Sequence, residues 1–141
     1  MEAFTEDWGF ATGDQAEPVE HPEPVVSPGA ICRGISAGPN EDFDKLGWLV
    51  VGALNAARES VRIMTPYFIP DRALLAAINS AALRGIEVTL ILPEENNLPP
   101  VAWATWAYLK EFLRFGTHVY EQPPPFAHSK LLLVDDKYAV V

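Results

Sequence analysis

Apolar positions along the chain follow two periods, and the switches between them mark out its elements. Leu74, Leu75, Ile78, Ala81 and Ala82 recur at helical spacing. Asp71 stands ahead of them as an N-cap, and Gly85 behind them suits a left-handed terminator. Ile86, Val88, Leu90 and Leu92 then alternate with Glu87 and Thr89, the period of a strand, until Pro93 stops the run. Upstream, residues 61–65 read as a short buried strand halted by Pro66. Strand, helix and strand with short joints predict a parallel pair linked by a right-handed crossover. A loop over 93–100 leads to a helix over 101–115 closed by Gly116, and then to a strand over 117–121. Residues 131–134 and 138–141 form a predicted hairpin with Asp135 and Asp136 at its turn. The class is therefore α/β, a mainly parallel mixed sheet flanked by helices and ending in a β-hairpin.

The amino-terminal part is less regular. Phe4, Trp8 and Ala11 have helical spacing and stop at Gly13, whereas residues 14–30 mix proline and acid with few apolar side chains and read as a linker that includes His21. From there the pattern predicts a first strand over 31–35 and a turn at Gly38-Pro39-Asn40. It then predicts a helix capped by Asp42 and running to about residue 60, with Leu46, Val50, Leu54 and Ala57 on one face. Three segments result: 1–13, the linker 14–30, and a domain over 31–141. No internal repeat is evident.

Charge narrows the partners. With 10 basic against 19 acidic residues and a net charge of −9, bulk electrostatics oppose gripping nucleic acid or an anionic bilayer, so a bound phosphate must be held locally. Cys32 is the single cysteine, which excludes an internal disulfide; it reads as a small buried apolar residue, and a reduced setting fits it. The longest apolar run, over 46–54, is too short to span a bilayer.

The candidate chemistry lies in Pro123 onward, PPPFAHSKLLLVDDKYAVV. A strand of period two puts His128 and Lys130 on one face, so an imidazole and an ammonium point the same way. His can serve as nucleophile or general acid near neutrality, and Lys can place positive charge on phosphoryl oxygens. Asp135 falls on the opposite face and is read as structural, fixing the turn. Tyr67 and Phe68, in Thr65-Pro66-Tyr67-Phe68-Ile69-Pro70-Asp71, follow a predicted parallel strand at the edge where open α/β sheets bind ligands, and are candidate substrate contacts. Plain packing also accounts for them. His118, beside Tyr120 on a short strand, reads as a surface residue. The aromatics of the 101–115 helix do not keep to one face; core packing is the default for them, with Trp103 or Trp106 facing lipid as the alternative.

His128-x-Lys130 followed by Asp135 resembles the HKD signature of the phospholipase D superfamily. TPYFIPD is similar to a segment of bacterial cardiolipin synthases in that superfamily, as are Ala82-Leu83-Arg84-Gly85-Ile86-Glu87-Val88 and Leu90-Ile91-Leu92-Pro93. Glu6-Asp7-Trp8-Gly9-Phe10-Ala11-Thr12-Gly13 is similar to the segment that closes their first catalytic half. The resemblance covers nearly all of the chain outside the linker. It implies that residues 1–13 are the tail of a first phospholipase D-like half and 31–141 most of the second, which carries the second of two HKD motifs. In those enzymes the motif continues into Gly-Ser and Asn. This chain stops at Val141, so the expectation is a fragment, inactive by itself.

The resemblance further implies a phosphatidyl transferase that forms cardiolipin from phosphatidylglycerol through a phosphohistidine, without metal or cofactor. His128 would be one of the two histidines and Lys130 the phosphate-neutralising cation. The implied partners are phospholipid and the first HKD half of the parent, with no nucleic acid. The implied location is the cytoplasmic face of the bacterial inner membrane, with membrane association through residues outside this chain. Other readings are another phosphodiesterase or nuclease of the superfamily, or a non-catalytic binding domain on the same fold.

Overall fold

A computed structural model describes residues 2–14, 29–35 and 44–141. Residues 1–43 and 44–141 form separate compact units. In the first, α1 (Glu2–Thr12) ends at Gly13, whose φ of 76° is the left-handed terminator the sequence predicts. The rings of Phe4 and Trp8 stack one helical turn apart. Residues 29–35 have no regular secondary structure, so the strand predicted over 31–35 does not form. Ile31 is fully exposed, and among the described residues no strand pairs with this segment. Cys32 is exposed too, contrary to the buried position expected of it. The predicted turn at Gly38-Pro39-Asn40, the Asp42 cap and most of the linker lie outside the described residues.

The second unit is the α/β domain. Its elements run α2 (Lys45–Ala56), β1 (Ser60–Met64), α3 (Arg72–Leu83), β2 (Glu87–Pro93), α4 (Pro99–Arg114), β3 (His118–Gln122), β4 (Leu131–Val134) and β5 (Tyr138–Val140). The five strands form one sheet in the order β3-β2-β1-β4-β5. β1, β2 and β3 are parallel, β4 runs antiparallel to β1, and β5 closes the hairpin.

Local rules account for most boundaries. Asp71 accepts the backbone N–H of Leu74 at 2.7 Å, the N-cap bond that starts α3. Gly85 and Gly116, with φ of 84° and 89°, end α3 and α4. Pro99 opens α4, where a missing N–H costs nothing. α2 departs from expectation at both ends. It starts at Lys45 behind Asp44, which makes no side-chain cap bond, and it stops at Ala56 rather than near residue 60. The early stop has a remote cause. The N–H groups of Arg58, Glu59 and Ser60 donate to the carboxylate of Asp135 at 2.8–3.2 Å, which holds them in the extended lead into β1.

Alternate residues of the strands, Val61 and Ile63, Val88, Leu90 and Leu92, Leu132 and Val134, are buried beneath the helices. Leu54, Ile78, Ala81 and Phe112 complete that layer from α2, α3 and α4. Leu46, assigned to the inner face of α2, is instead exposed. Arg84 ties α3 to the end of α2 through the carbonyls of Leu54 and Asn55, and Asn79 reaches Glu111 on α4 at 2.7 Å. The aromatics of α4 divide. Phe112 is fully buried against Phe68, while Trp103 and Trp106 are 74% and 69% exposed, so core packing does not hold for the tryptophans.

Candidate active site at the carboxyl edge of the parallel strands

The carboxyl ends of β1, β2 and β3 lie along one edge of the sheet because the three strands are parallel. β4 enters at this same edge because it runs the other way, with Leu131 opposite Met64. The segments before β4 and after β1 are thereby brought together. His128 and Lys130 precede β4 and lie outside the sheet, so their closeness is set by the segment leading into the strand and not by strand pairing. Lys130 Nζ lies 3.4 Å from His128 Nδ1 and 3.5 Å from Nε2, and 3.4 Å from the His128 carbonyl oxygen. Both side chains are exposed. An imidazole and an ammonium so close, both facing solvent, make a local site for an anion in an otherwise acidic chain.

Aromatic rings wall this site. Tyr67 meets the His128 ring edge-on at 5.6 Å, and Phe126 lies 6.1 Å from Tyr67 and 6.3 Å from His128. The Tyr67 hydroxyl donates to Asn97 Oδ1 at 3.0 Å, which links the loop after β1 to the loop after β2. Asn96 fixes that second loop, donating to the Pro66 carbonyl and accepting the N–H of Leu98, both at 2.8 Å. Phe68 turns the other way, into the core, and its carbonyl accepts the hydroxyl of Thr105. Of the two candidate substrate contacts, the structure brings Tyr67 to His128 and Phe68 to Phe112.

Asp135 stands at the far end of β4, away from His128. It and Asp136 have φ of 52° and 51°, and the N–H of Lys137 donates to the Val134 carbonyl, which makes a left-handed hairpin turn. Short Asp side chains tolerate this backbone. The donors of Ser60, then Glu59, hold the Asp135 carboxyl below its usual range, with Arg58 adding to the effect. Asp136 pairs with Arg62 on β1. His118 begins β3 at the opposite edge of the sheet, about 13 Å of strand from the carboxyl end.

Sequence reasoning missed Phe126, Asn96 and Asn97. Asn96-Asn97 was a usable signal, since Asn side chains organise loops through their own backbone, but only the fold shows that this loop meets Tyr67.

An open α/β sheet that presents a His-x-Lys pair where its parallel strands end is a domain of the phospholipase D class. Sequence comparison agrees. The model of the family described as "Cardiolipin synthase, PLD-like domain" matches residues 50–141, and the chain belongs to that family. Cardiolipin synthase A of Pseudomonas aeruginosa (strain LESB58) is 38% identical over all 141 residues, which span 29% of that relative's length. Among solved structures, the phospholipase D family member Nuc from Salmonella typhimurium superposes with a TM-score of 0.53 at 25% identity, covering 64% of this chain and 57% of that one. NucT from Helicobacter pylori gives a TM-score of 0.53 at 28% identity, covering 69% and 65%. Among the described residues, no helix is long and apolar enough to cross a membrane.

Proposed function

We propose that the whole protein containing this chain is a phosphatidyl transferase that makes cardiolipin from two molecules of phosphatidylglycerol, with His128 as one of two catalytic histidines. The observation that carries this reading is the contact of Lys130 with His128 at the carboxyl edge of the sheet, in a chain of this family. One histidine attacks the phosphorus of the first phosphatidylglycerol. The bond to the glycerol oxygen breaks, and the second histidine protonates that oxygen so that glycerol leaves. A hydroxyl of the second phosphatidylglycerol then attacks the phosphohistidine. The second histidine takes the hydroxyl proton, and the phosphorus–nitrogen bond breaks to release cardiolipin. We assign the acid and base role to His128 and phosphoryl-oxygen neutralisation to Lys130. The nucleophilic histidine belongs to the first half of the parent. The reaction takes place at the cytoplasmic face of a bacterial inner membrane, and membrane contact is made by residues outside this chain.

The test uses the whole protein with phosphatidylglycerol vesicles. His128→Ala lowers cardiolipin formation by about 100- to 10,000-fold, the usual size of a general acid–base contribution. A donor with an activated aryl leaving group needs no acid, so it still forms the phosphoenzyme in His128→Ala. Failure of that donor to restore the phosphoenzyme reassigns His128 as nucleophile, and undiminished transfer by the variant removes it from the reaction.

A further inference from the structure

Beside the aromatic wall lies a cleft of about 190 Å³, several times the volume of a water molecule in the liquid, that the phosphoryl chemistry does not use. Glu95, Asn96, Asn97, Gln122 and Phe126 line it. It is contiguous with the candidate active site, because Phe126 contacts both Tyr67 and His128 and Asn97 holds the Tyr67 hydroxyl. Its polar groups are not equivalent. Asn96 spends both ends of its carboxamide on the backbone. Asn97 uses only its oxygen, and the side chains of Gln122 and Glu95 have no partner among the described residues. The cleft thus offers amide donors from Asn97 and Gln122 and acceptors from Glu95 and Gln122.

We infer that this cleft takes the neutral glycerol headgroup through its adjacent hydroxyls, and so selects a polyol as the alcohol in the transfer; the inference rests on the transferase reading above. The chemistry of the lining favours this ligand over the alternatives. Each hydroxyl both donates and accepts, so a diol can satisfy Glu95 and an amide together. The Glu95 carboxylate repels a second phosphate. A quaternary ammonium would suit Glu95 and Phe126 but offers no acceptor to the amides of Asn97 and Gln122. A monoalcohol reaches only part of the set. Tyr67 and Asn97 would then couple the headgroup position to the phosphorus, because one hydrogen bond joins the residue against His128 to the residue in the cleft.

The experiment offers deuterated glycerol, 1-propanol and ethanolamine in equal amounts as acceptors to the whole protein, with unlabelled phosphatidylglycerol as donor, and reads by mass spectrometry the ratio of labelled phosphatidylglycerol to the other two products. Wild type favours glycerol. Asn97→Asp keeps an acceptor for Tyr67 but loses the amide donors, and Gln122→Leu loses both donor and acceptor; each cuts the glycerol to propanol ratio by about three- to tenfold. In parallel, glycerol is titrated into the 141-residue chain while side-chain amide signals are followed by NMR, with shifts expected at Asn97 and Gln122. Unchanged ratios in both variants, preference for ethanolamine, or silent amide signals overturn the assignment. Amide shifts in a protein that transfers to no alcohol would overturn the transferase reading and leave the polyol cleft standing.

Discussion

Tyr67 and His128 are 61 positions apart in the chain, yet their rings meet edge-on at 5.6 Å. The pairing of Met64 with Leu131 explains this, since Tyr67 lies three residues beyond the one and His128 three before the other. Tyr67 therefore packs its ring against the imidazole. In the whole protein, Tyr67→Ala should lower cardiolipin formation by about 100-fold, the penalty typical of a small misplacement of a reacting group. Tyr67→Phe keeps the ring and loses only the bond to Asn97, so its loss should be smaller. Initial rates on vesicles check this, and equal losses would point to the hydroxyl instead of the ring.

Lys130 has no acidic partner among the described residues, and its ammonium is directed at His128. Lys130→Met should abolish transfer in the whole protein while leaving the fold intact, as read by circular dichroism and melting temperature. A folded, fully active Lys130→Met protein would remove the charge-neutralising role.

The Asp135 carboxylate joins the hairpin turn to the start of β1. Asp135→Asn should lower the melting temperature at neutral pH more than Asp136→Asn, whose side chain meets Arg62, or Asp71→Asn, where the amide oxygen can still accept the one N–H of Leu74, because at position 135 the lost charge faces three N–H groups and the new amide nitrogen meets that of Arg58. The pH dependence follows from the lowered carboxyl value. The folded state binds the proton more weakly than the unfolded chain, so the stabilisation is fully present above the ordinary value of 3.8 and is lost as pH falls through the lower folded value. The gap in melting temperature between wild type and Asp135→Asn should narrow below pH 3.8. A gap that widens in acid would refute this account.

A transfer that needs two histidines cannot be completed by His118, which sits at the other edge of the sheet. The monomeric 141-residue chain should form no cardiolipin from phosphatidylglycerol. Thin-layer analysis of radiolabelled lipid gives the answer, and activity rising with the square of protein concentration would reveal pairing of two His128 sites.

All four tryptophans, Trp8, Trp48, Trp103 and Trp106, are between 44% and 74% exposed. Emission should already lie near the solvated position in the folded chain and move little on denaturation, whereas far-ultraviolet dichroism collapses. A large red shift on unfolding would show that some tryptophan is buried.

Apart from the ends of α2, the regular elements of the α/β unit were legible to within a few residues because they carry a complete local signal. Asp71 and Gly85 bracket α3, and Val88, Leu90 and Leu92 alternate through β2. Residues 31–35 show the limit of the same reasoning. A short segment with β-branched residues at both ends reads as a strand, but a strand needs an edge to pair with, and neighbouring strands are not encoded in a five-residue window. The tryptophans of α4 misled for a related reason, since an aromatic side chain is equally compatible with a core and with an exposed face.

The sequence by itself determined the helices and strands of residues 44–141, the closeness of His128 to Lys130, and the turn at Asp135, because each depends on neighbours a few positions away. Tertiary structure alone decided where α2 stops, which of Tyr67 and Phe68 reaches the imidazole, and that the Asn96-Asn97 loop and Gln122 line a polar cleft beside it. Those outcomes depend on hydrogen bonds and ring contacts spanning 30 to 77 positions, and such contacts leave no period in the chain that makes them.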